Sequence, residues 1–336
     1  MIRHPSMSSV FLLLAAATIL TVSGLLGVFG NKAGYTDALF EPDYTITDVP
    51  PDGPLAEAGF QPGDSVISVE GIPVVDLGMY SRWPRSLARA PGESLTMAVE
   101  RDGQTVTGEV VYREPPPTAW KLQFGSLLVF LSFLWAGAWV FLTVPSVHAT
   151  RMATMGLVVG LAMPALDMGS WNGIKEHIHL AAMVLWTLLL LRFFLSFPKP
   201  KKLSQGPVAK LALYAPWVIL LGCLVVELIF HPRFYYTFGS YTGLLMFAYL
   251  VLAVAALVHS WVATPGEEVK ASGLGWILAG VAIGVGGILF WAVDALLLQG
   301  FDVPGSNWAP VLFGVIPIGM ALGVRKAALR EEKAPG

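Results

Sequence analysis

Seven ionisable side chains set in apolar surroundings carry the chemistry that this sequence could perform: Asp167, Glu176, His177, His179, Glu227, His231 and Asp294. A charge inside a bilayer is costly unless paired or wetted, so each marks a candidate site by default. Asp167 follows Arg151 by sixteen residues, roughly 24 Å of helix, which puts it toward the opposite face of a membrane. The other six fall in the same outer layer. Such a layer at one depth could bind a cationic ligand, a peptide or protons. The competing reading is that these residues reach interfacial water or cap helix ends. Metal binding is disfavoured, because His177 and His179 are two apart and do not share a helical face. No metal or cofactor is expected.

The elements that would position these residues are membrane helices. The 336 residues are 55% hydrophobic and 13% charged, with a mean hydropathy of +0.64, too apolar for an ordinary soluble surface. With a net charge of −2, no nucleic-acid partner is expected. Crossing a bilayer takes roughly 20 apolar residues. Eight such runs occur, at Val10–Phe29, Leu122–Val144, Met152–Trp171, Ile178–Phe197, Leu211–Phe230, Tyr241–Ala263, Leu274–Leu298 and Trp308–Val324. The first is longer than a signal-peptide core of about 7–15 residues, so an uncleaved anchor is expected.

Counting only the short loops and helix ends, and leaving aside residues 31–118, placing the N-terminus in the cytoplasm puts twelve Lys or Arg on the inner side and leaves Lys121, Lys175 and Arg233 at the outer edge. That distribution obeys the positive-inside rule. The seven later runs have short connections, the pattern of an antiparallel bundle. Gly156 and Gly160, and Gly280 and Gly284, have the spacing that lets helix backbones approach. Pro164, Pro216 and Pro317 are expected to kink their helices. Cys223 is the single cysteine, so no intrachain disulfide supports any part of the fold.

Residues 31–118 differ from everything around them, with fourteen Asp or Glu against six Lys or Arg. Their punctuation is that of a small β-rich domain. Tyr44–Val49 reads as a strand, and Pro54 opens a brief helix that stops at Gly59. Pro62-Gly63-Asp64 turns into a strand from Ser65 to Glu70. Leu95, Met97 and Val99 alternate with polar or small residues, and Asp102-Gly103 is a strong hairpin signal before Gln104–Tyr112.

The stretch Pro54-Leu55-Ala56-Glu57-Ala58-Gly59-Phe60-Gln61-Pro62-Gly63-Asp64, the strand Val66–Val69, and the later Pro91-Gly92-Glu93 and Glu100-Arg101-Asp102-Gly103 resemble a bacterial PDZ domain. That resemblance covers about a quarter of the chain. It implies that an extended peptide can add as a strand at a sheet edge, with Phe40, Tyr44, Ile46, Trp83 and Leu87 as the residues facing it. Two departures bear on that implication. Asp37-Ala38-Leu39-Phe40-Glu41-Pro42-Asp43 brings three acids and no glycine where a carboxylate would be held, and Pro84 interrupts the helix that would wall the groove. Docking to a partner is therefore preferred over capture of a free C-terminus, which stays open as the alternative. The prolines at 115–117 are expected to make a stiff connector to the next helix, or merely to end the last strand.

A PDZ-like module beside membrane helices invites comparison with site-two intramembrane metalloproteases. Those need H-E-x-x-H, which does not occur here; a G-x-S-x-G elbow, a Walker loop and a dinucleotide fingerprint are absent too. The overall plan resembles the membrane sensor region of competence-type quorum-sensing histidine kinases, without the kinase. The expected fold class is thus a membrane α-helical bundle of eight transmembrane helices with one small β-rich PDZ-like extracytoplasmic domain. The expected divisions are an anchor (1–30), the periplasmic PDZ-like domain (31–118), a seven-helix bundle (119–325) and a cytoplasmic tail (326–336). The expected function is a non-enzymatic integral membrane protein of a bacterial inner membrane. Its partners would be lipid and other membrane or periplasmic proteins, as an accessory or assembly subunit of a larger complex. A sensor lacking its own output domain is the alternative, and a transporter the third.

Overall fold

A computed structural model describes residues 5–29, 34, 39–40, 44–74, 89–114, 117–163, 172–201, 205–230, 235–297 and 306–333. The chain opens with helix α1, Met7–Phe29. It then enters a small module: β1 (Leu39–Phe40), β2 (Ile46–Asp48), α2 (Pro54–Glu57), β3 (Ser65–Val69), β4 (Ile72–Pro73), β5 (Ser94–Arg101) and β6 (Gln104–Val111). Helices α3 (Pro117–Thr143), α4 (Val147–Leu161), α5 (Asn172–Ser196), α6 (Pro207–Phe230), α7 (Tyr235–Ala263), α8 (Gly266–Ala271) and α9 (Leu274–Leu297) follow. A 3-10 stretch, Ser306–Gly314, leads into α10, Val315–Lys333.

In the module, β3, β4, β5 and β6 form an antiparallel sheet in the order β4-β3-β5-β6, and β1 pairs with β2 separately. The β5–β6 hairpin closes on Asp102 and Gly103, with φ of 51° and 75°, the two left-handed positions of a type I′ turn. Arg101 faces Gln104 across it. Alternation along β5 sends Leu95, Met97 and Val99 into a core with Ile46, Leu55, Phe60, Val66, Val69 and Val110. Each such buried side chain contributes about 1.5–3 kcal/mol. That is the stabilisation available to a module without a disulfide.

The helices pack in close pairs: α3 against α4, α5 against α7, and α9 against α10. Two of these contacts depend on missing side chains. A Cβ at Gly156 of α4 would stand 2.6 Å from the Phe133 carbonyl oxygen of α3, and one at Gly137 of α3 would stand 2.5 Å from that of Met152. Gly280 of α9 and Gly319 of α10 face each other, a Cβ on Gly280 reaching 3.1 Å from the Gly319 Cα. Between the pairs, Phe133, Trp186 and Phe313 meet ring to ring at 5.9–6.2 Å. α1 joins through Leu13, Ala17 and Leu20, and Trp135 Nε1 donates to Thr21 Oγ1 at 3.1 Å.

Among the described residues six helical segments are long and apolar enough to cross a membrane: Met7–Phe29, Gln123–Thr143, Ile178–Ser196, Pro207–Val226, Tyr241–Ala263 and Trp308–Glu332. The expected count of eight is not confirmed. The Met152–Trp171 run yields a helix of only 15 residues, Val147–Leu161, about 22 Å long against a hydrocarbon core of about 30 Å. The Leu274–Leu298 run gives α9, Leu274–Leu297, a helix of 24 residues. Of the expected kinks, Pro216 sits inside α6, which continues through it. Pro317 falls in the first turn of α10, where a missing amide costs little. Pro164 lies outside the described residues.

Candidate functional site

The sheet edges of the module are its candidate binding surface, because an edge strand presents backbone donors and acceptors that another chain can pair with. β2 lies within the stretch read from sequence as the peptide-facing strand. One side of it is tied inward: the Ile46 amide donates to Asp64 O at 2.8 Å, and Ile46 O accepts from the Gly63 amide at 2.8 Å. Its other side pairs with β1, Leu39 opposite Asp48 and Phe40 opposite Ile46. A strand added to β2 on that side must therefore displace β1. This self-pairing was not anticipated, since two residues among three acids carry no alternation to read.

The candidates themselves are placed as follows. Ile46 is completely buried in the module core, where its side chain packs instead of facing a peptide. Tyr44 is half-buried, with φ of 68°. Phe40 lies in β1. Trp83 and Leu87 lie outside the described residues, and with them the wall expected around Pro84.

β6 is the second edge. Because Arg101 and Gln104 close a two-residue turn, every second residue onward pairs its backbone with β5. Thr105, Thr107, Glu109 and Val111 turn theirs outward, and among the described residues no strand pairs with them. All four are exposed.

An ion pair beneath these edges holds their frame. Asp64, 2% exposed, accepts from Arg101 Nε and Nη2 at 2.7 Å each and from the Gln61 amide at 2.8 Å. Arg101 Nη2 also donates to Gly59 O at 2.8 Å. One guanidinium thus joins the end of β5 to the turns on either side of Phe60. Burial alone would raise the Asp64 pKa, but the fork from Arg101 and the Gln61 amide outweigh it and hold the carboxyl below its usual value.

Of the outer-layer residues, Asp167 and His231 lie outside the described residues. Glu176 and His177 lie on α5, Glu227 on α6 and Asp294 on α9, with side chains outside the described set. His179 is half-buried on α5.

The opposite end of the bundle holds polar residues that sequence reading used only as topology markers. Arg151 Nη1 donates to Ser196 Oγ at 2.5 Å, and Arg192 donates to the Tyr214 hydroxyl. Lys201 Nζ donates to Phe194 O at 2.7 Å and Ser260 Oγ at 2.5 Å. Their signal was Arg192, a cation inside the apolar run Ile178–Phe197.

Comparison with known proteins adds two findings. Residues 45–101 match the family described as PDZ domain. Two proteins, one from Brucella suis biovar 1 and one from Brucella melitensis biotype 1, are each 34% identical to this chain over 88 residues; each is provisionally named a zinc metalloprotease. The alignment takes in 25% of this chain and spans only 22% of either relative.

These relatives correct the expectation of a non-enzymatic chain. Their name points to proteolysis, and an interaction-only role, a signalling role or a place as complex subunit finds no support in them. The likeness to competence-type histidine kinases finds none either. The error came from reading missing motifs as a missing activity.

Zinc would need three or four His, Cys, Asp or Glu side chains around one point. Among the described residues no three stand so, and H-E-x-x-H is not in the sequence. They do not fit the metal, and no step is assigned to it. What fold and family match establish together is the outward-edged module: residues 45–101 are a PDZ domain.

Proposed function

We propose that this chain acts in proteolysis at a membrane, and that its PDZ domain holds an extended polypeptide segment there by strand addition. The observation that carries this reading is a PDZ domain set between apolar helices. The shared 88 residues with the Brucella proteins direct it to proteolysis. In the proposed layout residues 1–30 anchor the chain in a bacterial inner membrane and residues 31–118 stand on the periplasmic side. Residues 119–325 form the bundle, and residues 326–336 return to the cytoplasm. The bias of Lys and Arg to one side supports that orientation.

β6 offers an edge without displacement, whereas β2 offers one only if β1 leaves. Tyr44, Phe40, Trp83 and Leu87 are proposed to flank a segment at β2, with Ile46 supporting it from the core. Asp37, Glu41 and Asp43 repel a terminal carboxylate there, so an internal stretch of polypeptide is the favoured occupant. The outer-layer residues Asp167, Glu176, His177, His179, Glu227, His231 and Asp294 are proposed to face the same side as the domain.

The test places a photo-crosslinking residue at Thr107 or Thr47 of the full chain in its own membrane. A polypeptide adduct at one or both edges, lost when Asp64→Ala disrupts the domain, is the expected result. No adduct at either edge, with the domain folded, contradicts the proposal.

A further inference from the structure

Two arginines from different helices come together at one end of the bundle. Arg151 lies in the second turn of α4, and Arg192 lies one turn before the end of α5. Arg151 Nη1 reaches across to Ser196 Oγ, which itself donates to the Arg192 carbonyl oxygen at 3.0 Å. Arg192 donates to Tyr214 Oη of α6, and its guanidinium carbon stands 5.5 Å from the Tyr214 ring centre. The Ser196 hydroxyl thus links the Arg151 guanidinium to the Arg192 backbone, and the Arg192 side chain carries the chain of contacts on to Tyr214.

Two like charges on neighbouring helices repel, and both side chains are half-buried, so solvent screens them only in part. Neither arginine is in an ion pair with a carboxylate among the described residues. Glu268, on α8, is paired with Lys199 at 2.5 Å. The groups that converge are instead donors. Each guanidinium carries five N–H groups, of which the described hydrogen bonds use one apiece. Tyr214 accepts from Arg192 and keeps its own proton to give. A tetrahedral oxyanion can take several donors from different directions, and guanidinium forks suit it best.

Depth favours the same ligand. Arg151, Arg192, Ser196 and Tyr214 all lie within about two turns of the ends of their helices, about 11 Å. That is the zone where phospholipid phosphates sit.

We propose that Arg151, Arg192 and Tyr214 bind the phosphate group of an anion at this end of the bundle. It is supplied either by an anionic phospholipid of the adjoining leaflet or as free phosphate. The bound group would neutralise the arginine pair and tie α4, α5 and α6 together.

The experiment uses the full chain released in mild detergent. Native mass spectrometry follows retention of phosphatidylglycerol against phosphatidylcholine, and thermal unfolding follows stabilisation by each lipid and, separately, by inorganic phosphate. Retention of phosphatidylglycerol over phosphatidylcholine is expected, about fivefold weaker for each of Arg151→Gln and Arg192→Gln and unchanged in the exposed control Lys326→Gln. Stabilisation by inorganic phosphate without any preference for phosphatidylglycerol supports the site with free phosphate as its source. The proposal is overturned if the double Gln variant retains the lipid as well as the unmodified chain. It is equally overturned if neither lipid charge nor phosphate shifts the unmodified chain, a result that needs no variant to fold.

Discussion

Asp64 ties the turn before β3 to the end of β5 through Arg101. Removing one partner of a buried pair strands the other, at about 3–5 kcal/mol when both are enclosed. Arg101 keeps 26% of its side chain exposed, so solvent screens the pair and the cost falls below that of an enclosed one. Asp64→Ala is expected to lower the domain's melting temperature accordingly, measured by circular dichroism on the full chain. The pH dependence has a definite sign. The folded carboxyl has a depressed pKa, so its contribution is complete above the unfolded value of about 3.9 and is lost as pH falls through the lower folded value. An Asp64→Asn chain should therefore lose less stability than the parent between neutral pH and pH about 3. Equal losses in both would remove Asp64 from the account. The role of Asp64 was half legible: Pro62-Gly63-Asp64 announced a turn, but its partner is 37 residues away in sequence, a distance no local pattern reports. Arg151 and Arg192 show the same limit, since only the packing of α4 on α5 joins them.

At the scale of elements, the turns and strands of the domain were readable because each boundary carries a residue whose backbone restricts it. Gly59, Gly63, Gly92 and Gly103 all have positive φ where the sequence asked for a turn. β1 was not readable, because its pairing with β2 spans two residues with no periodicity of their own. One helix, α4, differs from its expected run for another reason. An apolar run can exceed its helix, and α4 ends at Leu161 ahead of Pro164, which disfavours helical geometry in the residue before it. The tight α3–α4 contact makes a sharp prediction. Gly156→Leu would drive its side chain into the Phe133 carbonyl, 2.6 Å from the first added carbon, and force the helices apart. The variant should lose about 2 kcal/mol or more, read as a fall in the midpoint of detergent unfolding. Gly222→Leu on α6, where an added carbon meets nothing within 4 Å, should change it little. Equal effects at the two sites would show that the backbones are not in contact there.

For the molecule as a whole, composition pointed to a membrane, and six described helices are long and apolar enough to cross one. Function was less legible: a PDZ motif names a mode of contact and no reaction, so the proposal of a proteolytic setting rests on the name of partial relatives. The proposed topology predicts that a cysteine replacing Ser94, on the domain, is labelled by a membrane-impermeant maleimide in intact cells carrying Cys223→Ser. A cysteine replacing Lys326 should be labelled only after the membrane is opened. The reverse pattern would invert the map.

The central proposal is that the PDZ domain serves proteolysis at the membrane. Pulse-chase measurement of membrane-protein turnover, in cells carrying the parent chain or Asp64→Ala as their sole copy, tests this most directly. A subset of membrane-anchored proteins should persist several times longer in the variant cells, and turnover indistinguishable between the two across the membrane proteome would contradict it.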